Sequence, residues 1–261
     1  MMPETSPHSG VPKTLEEFTG SETIVDPPRN DEVSNIGPQG WHQYGKNCLV
    51  IFPTGNKHKV EALKAHFNNN EKPSDVNSLL FEEIPVSDNG CSQPCNDQGR
   101  IRAEDRILKA MNKFRSRPEY KTYLEDKEIG TVFIAVIESF FERKNDQKPV
   151  DAALIVLFNV STGRTVTRTT NGTTLNHWFL DEAERRRGHV DGNKDCLRMT
   201  AGKIVAERVH GVDAANWHEY AVRKPRKEFF EEALKIMEIP YAATHNETNA
   251  SLGSVGTVDS L

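Results

Sequence analysis

The sequence predicts an α/β protein in which a mixed central sheet is flanked by helices. Three observations predict it. Cys48–Phe52 (CLVIF), Val132–Ile137 (VFIAVI) and Ala152–Phe158 (AALIVLF) are short, unbroken apolar runs, the pattern of strands buried on both faces. Between them lie segments whose apolar residues recur at helical spacing. The last run passes through Ser161-Thr162-Gly163 into alternating residues Arg164–Thr170, as in a hairpin with one solvated face.

Taken in order, the chain opens on a polar stretch. Residues 1–40 hold two basic side chains against seven acidic ones and six of the 14 prolines. Such a segment buries too little apolar surface to offset the entropy of ordering it. A disordered acidic tail is therefore expected over residues 1–45, a single domain over 46–241, and a second, polar tail over 242–261. Cys48–Phe52 then reads as the first strand, bounded by Gly45 and Pro53. Lys57–Phe67 follows as a helix with Val60, Leu63 and Phe67 on its buried face, and Leu79–Val86 as a second strand. Ser87–Gly99 is rich in Ser, Asn, Asp, Gly and Pro and reads as a loop. The spacing predicts a helix over Arg100–Arg115 that buries Ile101, Ile107, Leu108, Met111 and Phe114. Val132–Ile137 and the hairpin complete the sheet. Leu180–Arg187, Met199–Val209 and Arg226–Met237 carry the remaining helical patterns.

Composition excludes several classes. The net charge of −5 resides in the first forty residues, which leaves the predicted domain mildly basic and without the footprint of a nucleic-acid-binding module. No apolar run reaches the roughly 18 residues that span a bilayer. The start MMPETSPHSG has the features of neither a signal nor a transit peptide, so a cytoplasmic protein with no membrane partner is expected. In that compartment Cys48, Cys91, Cys95 and Cys196 suggest no disulfide framework, and Cys91 and Cys95 lack a second pair at zinc spacing. His210 and His218 read as solvated or core residues.

The segment that carries chemistry is Ile51–Phe67 (IFPTGNKHKVEALKAHF). A buried strand ends at Pro53, Thr54-Gly55 turns, and Asn56 caps a helix whose first turn holds Lys57, His58 and Lys59. Cations there oppose the helix dipole, and an anion would remove the conflict. Thr54 and Asn56 add hydrogen-bonding side chains suited to phosphate oxygens. The Walker A spacing is absent.

This segment resembles the T-x-N-x-x-K motif that opens the inosine/xanthosine triphosphatase family, whose fold is that of the inosine-triphosphate pyrophosphatases. Further likenesses follow in order over roughly residues 47–238. Val86–Pro94 (VSDNGCSQP) is similar to the family's V-E-S-G-V-P-E-Q-P loop, and Ala103–Ala110 (AEDRILKA) to its A-R-N-R-A helix. Phe133–Ser139 (FIAVIES) is similar to its V-A-I-E-A-G strand, and Arg223–Leu234 to its closing basic segment and helix.

The resemblance implies hydrolysis of the phosphate chain of inosine or xanthosine triphosphate, with Mg²⁺ (or Mn²⁺) as cofactor. Thr54, Gly55, Asn56, Lys57, His58 and Lys59 would hold phosphates, with Arg106, Arg223 and Arg226 binding substrate and Lys224 and Lys227 beside them. Glu138 and Lys59 would carry catalysis, while Asp88, Glu138 and Glu128 would supply metal ligands. A homodimer is compatible with this reading.

Some family positions differ. Glu138 is followed by Ser139-Phe140-Phe141 in place of glycine, Ser87 stands at the strict position of the loop carboxylate, and Asp105-Arg106 replaces Asn-Arg. An alternative is thus a catalytically silent relative that serves as a protein- or nucleotide-binding module.

Overall fold

The computed structural model describes residues 44–143 and 147–241. The two expected tails lie outside the described residues, except that Tyr44 and Gly45 already belong to the fold. Tyr44 N–H donates to Ile129 O at 2.9 Å. A Cβ on Gly45 would come within 2.4 Å of Glu128 O, so only glycine fits there.

The sheet begins with β1 (Asn47–Phe52), whose residues from Cys48 onward are buried. Helix α1 (Lys57–Asn69) follows, its N-terminus capped by Asn56, which accepts the Lys59 N–H. Strand β2 (Leu79–Glu83) pairs in parallel with β1 and ends before Ile84-Pro85, short of the predicted Val86. Next come a two-residue strand β3 (Gln93–Pro94), helix α2 (Gln98–Arg115) and helix α3 (Tyr120–Asp126). Strand β4 (Ile129–Glu142) runs parallel to β1 on the side away from β2. It is much longer than its apolar run predicts, since Ser139, Phe140 and Phe141 continue the strand. Strand β5 (Val150–Asn159) and β6 (Thr165–Thr169) are antiparallel neighbours, and β7 (Thr173–Thr174) pairs with the start of β5. The order is β2-β1-β4-β5-β6, a mixed six-stranded sheet. The predicted α/β class and its hairpin are observed.

Helices cover both faces. Helix α1 and the last helix α7 (Arg226–Leu234) pack with Cys48, Val50, Phe133, Ala135 and Ile137. Helix α2 packs on the opposite face with Leu49, Ile51, Val132, Ile134 and Val136. Its buried stripe is Ala103, Ile107, Ala110, Met111 and Phe114, whereas Ile101 and Leu108, predicted to be buried, are 43% and 42% exposed. Those two residues stand seven apart, on the shoulder of the helix that the sheet does not reach.

A second lobe caps the end of the sheet. Helix α4 (His177–Arg187), strands β8 (His189–Val190) and β9 (Asn193–Leu197), and helices α5 (Ala201–Arg208) and α6 (Trp217–Val222) build it. A small sheet β3-β9-β8 and a core of Phe179, Leu180, Leu197, Ile204 and Trp217 hold it together, and Phe141 of β4 reaches into that core. A disulfide joins Cys91 to Cys196 across a separation of 105 residues, which corrects the expectation of unpaired cysteines. Composition says nothing about which distant residues the fold brings together.

Candidate functional site

Helix α1 packs on one face of the sheet and leads from β1 to β2. Helix α2 packs on the other face and leads back to β4, on the far side of β1. The carboxyl end of β1 is therefore a topological switch point, where α/β folds leave a crevice. A cleft of about 290 Å³ lies there, between the end of the sheet and the second lobe. Lys59, Asp88, Arg106, Glu138 and Arg226 line it, five of the predicted site residues, drawn from α1, the loop before β3, α2, β4 and α7. Asp151, Gln93, Thr200, Lys203 and Trp217 line it as well.

Two buried carboxylates organise its charge. On β4, even-numbered residues face α2, so Glu138 follows Val132, Ile134 and Val136 onto that face. It is 4% exposed and accepts from Arg106 Nε at 2.7 Å, with Arg102 Nε 3.9 Å away. Arg106 also donates to Pro53 O at 3.4 Å, tying α2 to the loop after β1. On β5, Asp151 shares the opposite face with Ala153 and Ile155. It is 3% exposed and accepts from Arg226 Nη2 at 2.8 Å, while His218 Nε2 lies 2.9 Å from its other oxygen. Each carboxylate thus anchors an arginine at the mouth of the sheet, one on each face.

Lys59 joins both systems. Desolvation lowers its pKa to about 8, and Arg226 and Arg106 push it the same way, while Glu138 and Asp151 act against the shift. It makes no ion pair among the described residues. Burial likewise lowers the pKa of His218, helped by Arg226 and opposed by Asp151. His218 is indeed a core residue, stacked on Trp217 at 4.1 Å.

The other predicted residues lie elsewhere. Asn56 uses its side chain as the helix cap, and Thr54 Oγ1 accepts the Asn56 N–H at 3.1 Å. Lys57 is 83% exposed beside Glu61, and neither it nor His58 lines the cleft. Gly55 is exposed, and a Cβ there would meet only Pro85, at an ordinary 3.7 Å. Glu128 sits at the head of β4, about 33 Å of strand from Glu138 at roughly 3.3 Å per residue. The structure does not bring it to the cleft, as a metal ligand there would require. Arg223 is the exposed left-handed cap of α6, Lys224 pairs with Glu232, and Lys227 pairs with Glu61 and Glu231.

Among the described residues, two carboxylates of the cleft lining keep an oxygen free of hydrogen bonds. Asp88 Oδ1 accepts the Gly90 N–H at 3.0 Å, which leaves Oδ2, and Glu138 Oε1 has no hydrogen bond among the described residues. Mg²⁺ commonly takes one or two carboxylates together with waters and substrate phosphates rather than a full protein cage. Among the described residues no group of three or more His, Cys, Asp or Glu is placed to hold a metal.

Asp151 lines the cleft without belonging to any sequence motif. It precedes the apolar run Ala152–Phe158, and its signal was a lone acid at the entrance of a buried strand.

No family model and no curated protein matches the chain. Two solved dodecameric PelC structures from Paraburkholderia phytofirmans overlap it weakly. A point variant shares 12% identity over 51% of this chain and 75% of that one, at a TM-score of 0.20. Another PelC dodecamer shares 10% identity over 58% and 81%, also at 0.20. Overlap at that level bears on neither fold nor function. Among the described residues no helix is long and apolar enough to cross a membrane.

Proposed function

We propose that the cleft binds the phosphate chain of a nucleoside triphosphate and hydrolyses it with Mg²⁺, in a chain related to the inosine/xanthosine triphosphatases and sharing their fold. The observation that carries this reading is the convergence of Lys59, Asp88, Arg106, Glu138 and Arg226 on one cleft from five separate elements.

Phosphoryl transfer asks a protein mainly for positioning and charge neutralisation. Lys59, Arg106 and Arg226 supply positive charge at the switch point. Glu138 and Asp151 hold the two guanidinium groups from beneath, so the arginines meet a ligand without first losing rotamer freedom. Desolvation, with a smaller push from Arg226 and Arg106, lowers the pKa of Lys59 and disfavours its charged form. A polyphosphate beside it would favour the charged form again. Asp88 and Glu138 would hold Mg²⁺, whose contribution is to neutralise charge developing on phosphate oxygens.

A second reading rests on Glu138 itself. Its carboxylate is engaged by Arg106 at 2.7 Å and approached by Arg102, and a metal would compete with both. A chain that keeps the phosphate cradle and has lost turnover would be a nucleotide-binding module.

Phosphate release from inosine, xanthosine, guanosine and adenosine triphosphates with Mg²⁺ separates the two. Turnover by the wild type, reduced about 10–100-fold in Glu138→Gln, is expected. Full activity in the Gln variant overturns the role given to Glu138. Nucleotide binding without release of phosphate leaves the binding module.

A further inference from the structure

One covalent bond at the cleft has no part in the proposed chemistry. Cys91 lines the cleft and is bonded to Cys196 of β9. The residues just before Cys91 show what the bond holds. Asp88-Asn89-Gly90-Cys91 is a tight turn: the Cys91 N–H donates to Asp88 O at 3.0 Å, and the Gly90 N–H donates to Asp88 Oδ1, also at 3.0 Å. Both central residues have positive φ, 50° at Asn89 and 80° at Gly90. That is the pattern of a type I′ turn, with the Asn-Gly pair that favours it. The turn is a stiff unit, so fixing Cys91 fixes Asp88.

Little else fastens it. Asp88, Asn89 and Gly90 are exposed, and among the described residues Asp88 bonds only within the turn. Upstream, Lys109 Nζ lies 3.5 Å from Ser87 O, at the limit of a hydrogen bond. Downstream, β3 is two residues long, and one of them is Pro94, which has no N–H to donate. The disulfide is the strongest attachment of a turn that carries a cleft carboxylate. Its two sulfurs belong to residues 105 positions apart, so no short stretch of chain keeps them together once the bond opens.

We propose that the Cys91–Cys196 disulfide is a redox latch on the cleft. Closed, it holds Asp88 where Mg²⁺ and a phosphate chain share it; a dithiol reductant opens it and frees the turn. A thiolate of the reductant attacks one sulfur of the bond, and the released cysteine thiolate takes up a proton. The reductant's second thiolate then displaces the other cysteine, which is protonated in turn. Two electrons have passed: the chain ends with two thiols and the reductant with a disulfide. The latch rests on the proposed function for the role of Asp88 and adds the regulation of that site. Lys59, Arg106 and Arg226 stand on α1, α2 and α7, outside the latched turn, so their hold on phosphate does not depend on it. By linkage, a ligand that prefers the closed form makes the bond harder to reduce.

The test measures binding of inorganic tripolyphosphate to the full chain, with and without Mg²⁺, before and after reduction by dithiothreitol. The oxidised chain is expected to gain affinity from Mg²⁺. Reduction should lower the Mg²⁺-supported affinity about tenfold and leave Mg²⁺-free binding unchanged. Cys91→Ser/Cys196→Ser should match the reduced chain and ignore dithiothreitol. Asp88→Asn should lose both the Mg²⁺ gain and the redox response. In glutathione buffers, Mg²⁺ with tripolyphosphate should shift the wild-type midpoint by the same tenfold, about 30 mV toward more reducing potential for two electrons. That measurement requires no variant to fold. Equal affinities in the two redox states, or a midpoint that the ligand leaves in place, overturn the latch. So does a loss on reduction that persists without Mg²⁺ or in Asp88→Asn. An oxidised wild type that binds no tripolyphosphate removes the proposed function itself, so the two failures are distinguishable.

Discussion

The two walls of the cleft are built on different principles. The sheet wall is made of charge. Its acids Glu138 and Asp151 are buried and paired, and the strands and helices that carry them enclose two of the three apolar clusters. The second-lobe wall is made of polar groups that are neutral apart from Lys203, carried on short elements and fastened by a two-residue strand and the Cys91–Cys196 disulfide. The contrast sets fixed cations opposite a wall of short, lightly attached elements. Strong electrostatics require a rigid, desolvated frame.

The largest expected effect comes from breaking the charge of the sheet wall. Asp151→Ala would leave Arg226 facing the cleft without its anchor and would strand the buried His218 Nε2. Removing one partner from a buried ion pair costs about 3–5 kcal/mol. Urea unfolding monitored by circular dichroism should show a loss of that order. Glu138→Ala should behave alike, since Arg102 and Arg106 are then left unpaired. A loss below about 1 kcal/mol for both would mean that the acids are not structural anchors.

The second wall breaks more selectively. Reducing the disulfide, or replacing Cys91 and Cys196 by Ser, reopens a long covalent loop and should cost about 2–4 kcal/mol. The loss should be local. Hydrogen exchange is expected to quicken around Ser92–Asn96 and Asp195–Leu197, whose cross-links are Ser92 N–H to Leu197 O and Cys95 N–H to Asp195 O. Amides of β1 and β4 should exchange as before. Uniform quickening across both walls would show that they form one cooperative unit. The remaining thiols, Cys48 and Cys95, do not confuse the result, because burial raises each pKa to about 12 and keeps them protonated.

The same contrast governs what could be read from sequence. The sheet wall was largely legible. Long apolar runs mark β1, β4 and β5, and the residues that line the cleft from this side stand beside them or on the strongly periodic helix α2. Even there, Glu128 misled. Nearness to a strand in sequence does not say which end of it the residue occupies, and ten strand residues carry it out of reach of Glu138. Lys57 and His58 misled for a related reason, since a helical turn points neighbouring side chains in different directions and only Lys59 reaches the cleft. The second wall was hardly legible. Two-residue strands such as β3 and β8 are too short for any periodicity, and α6 spans six residues. Asp151 and His218 escaped because their pairing joins residues 67 positions apart across two layers.

The smallest effect concerns Lys59, and it tests whether the sheet wall waits for an anion. Its ammonium is destabilised by desolvation and by two arginines, so its pKa falls from 10.5 to about 8. A folded-state pKa below the unfolded one means that the unfolded chain binds more protons between those values. Lys59 therefore contributes a penalty below about pH 8 that fades as the pH rises toward 10.5. A polyphosphate reverses the preference, because it favours the charged form. Binding should take up protons near pH 8, and affinity for tripolyphosphate should fall about tenfold between pH 7 and 9, roughly 1.4 kcal/mol. Isothermal titration in buffers of different ionisation enthalpy measures both. Lys59→Arg supplies the control, since guanidinium stays charged throughout and should flatten the slope. If wild type and Lys59→Arg share one pH profile, the titrating group lies elsewhere and Lys59 does not meet the phosphate. If the wild-type slope disappears in the arginine variant, the desolvated ammonium of Lys59 is the group that meets the phosphate at the end of β1.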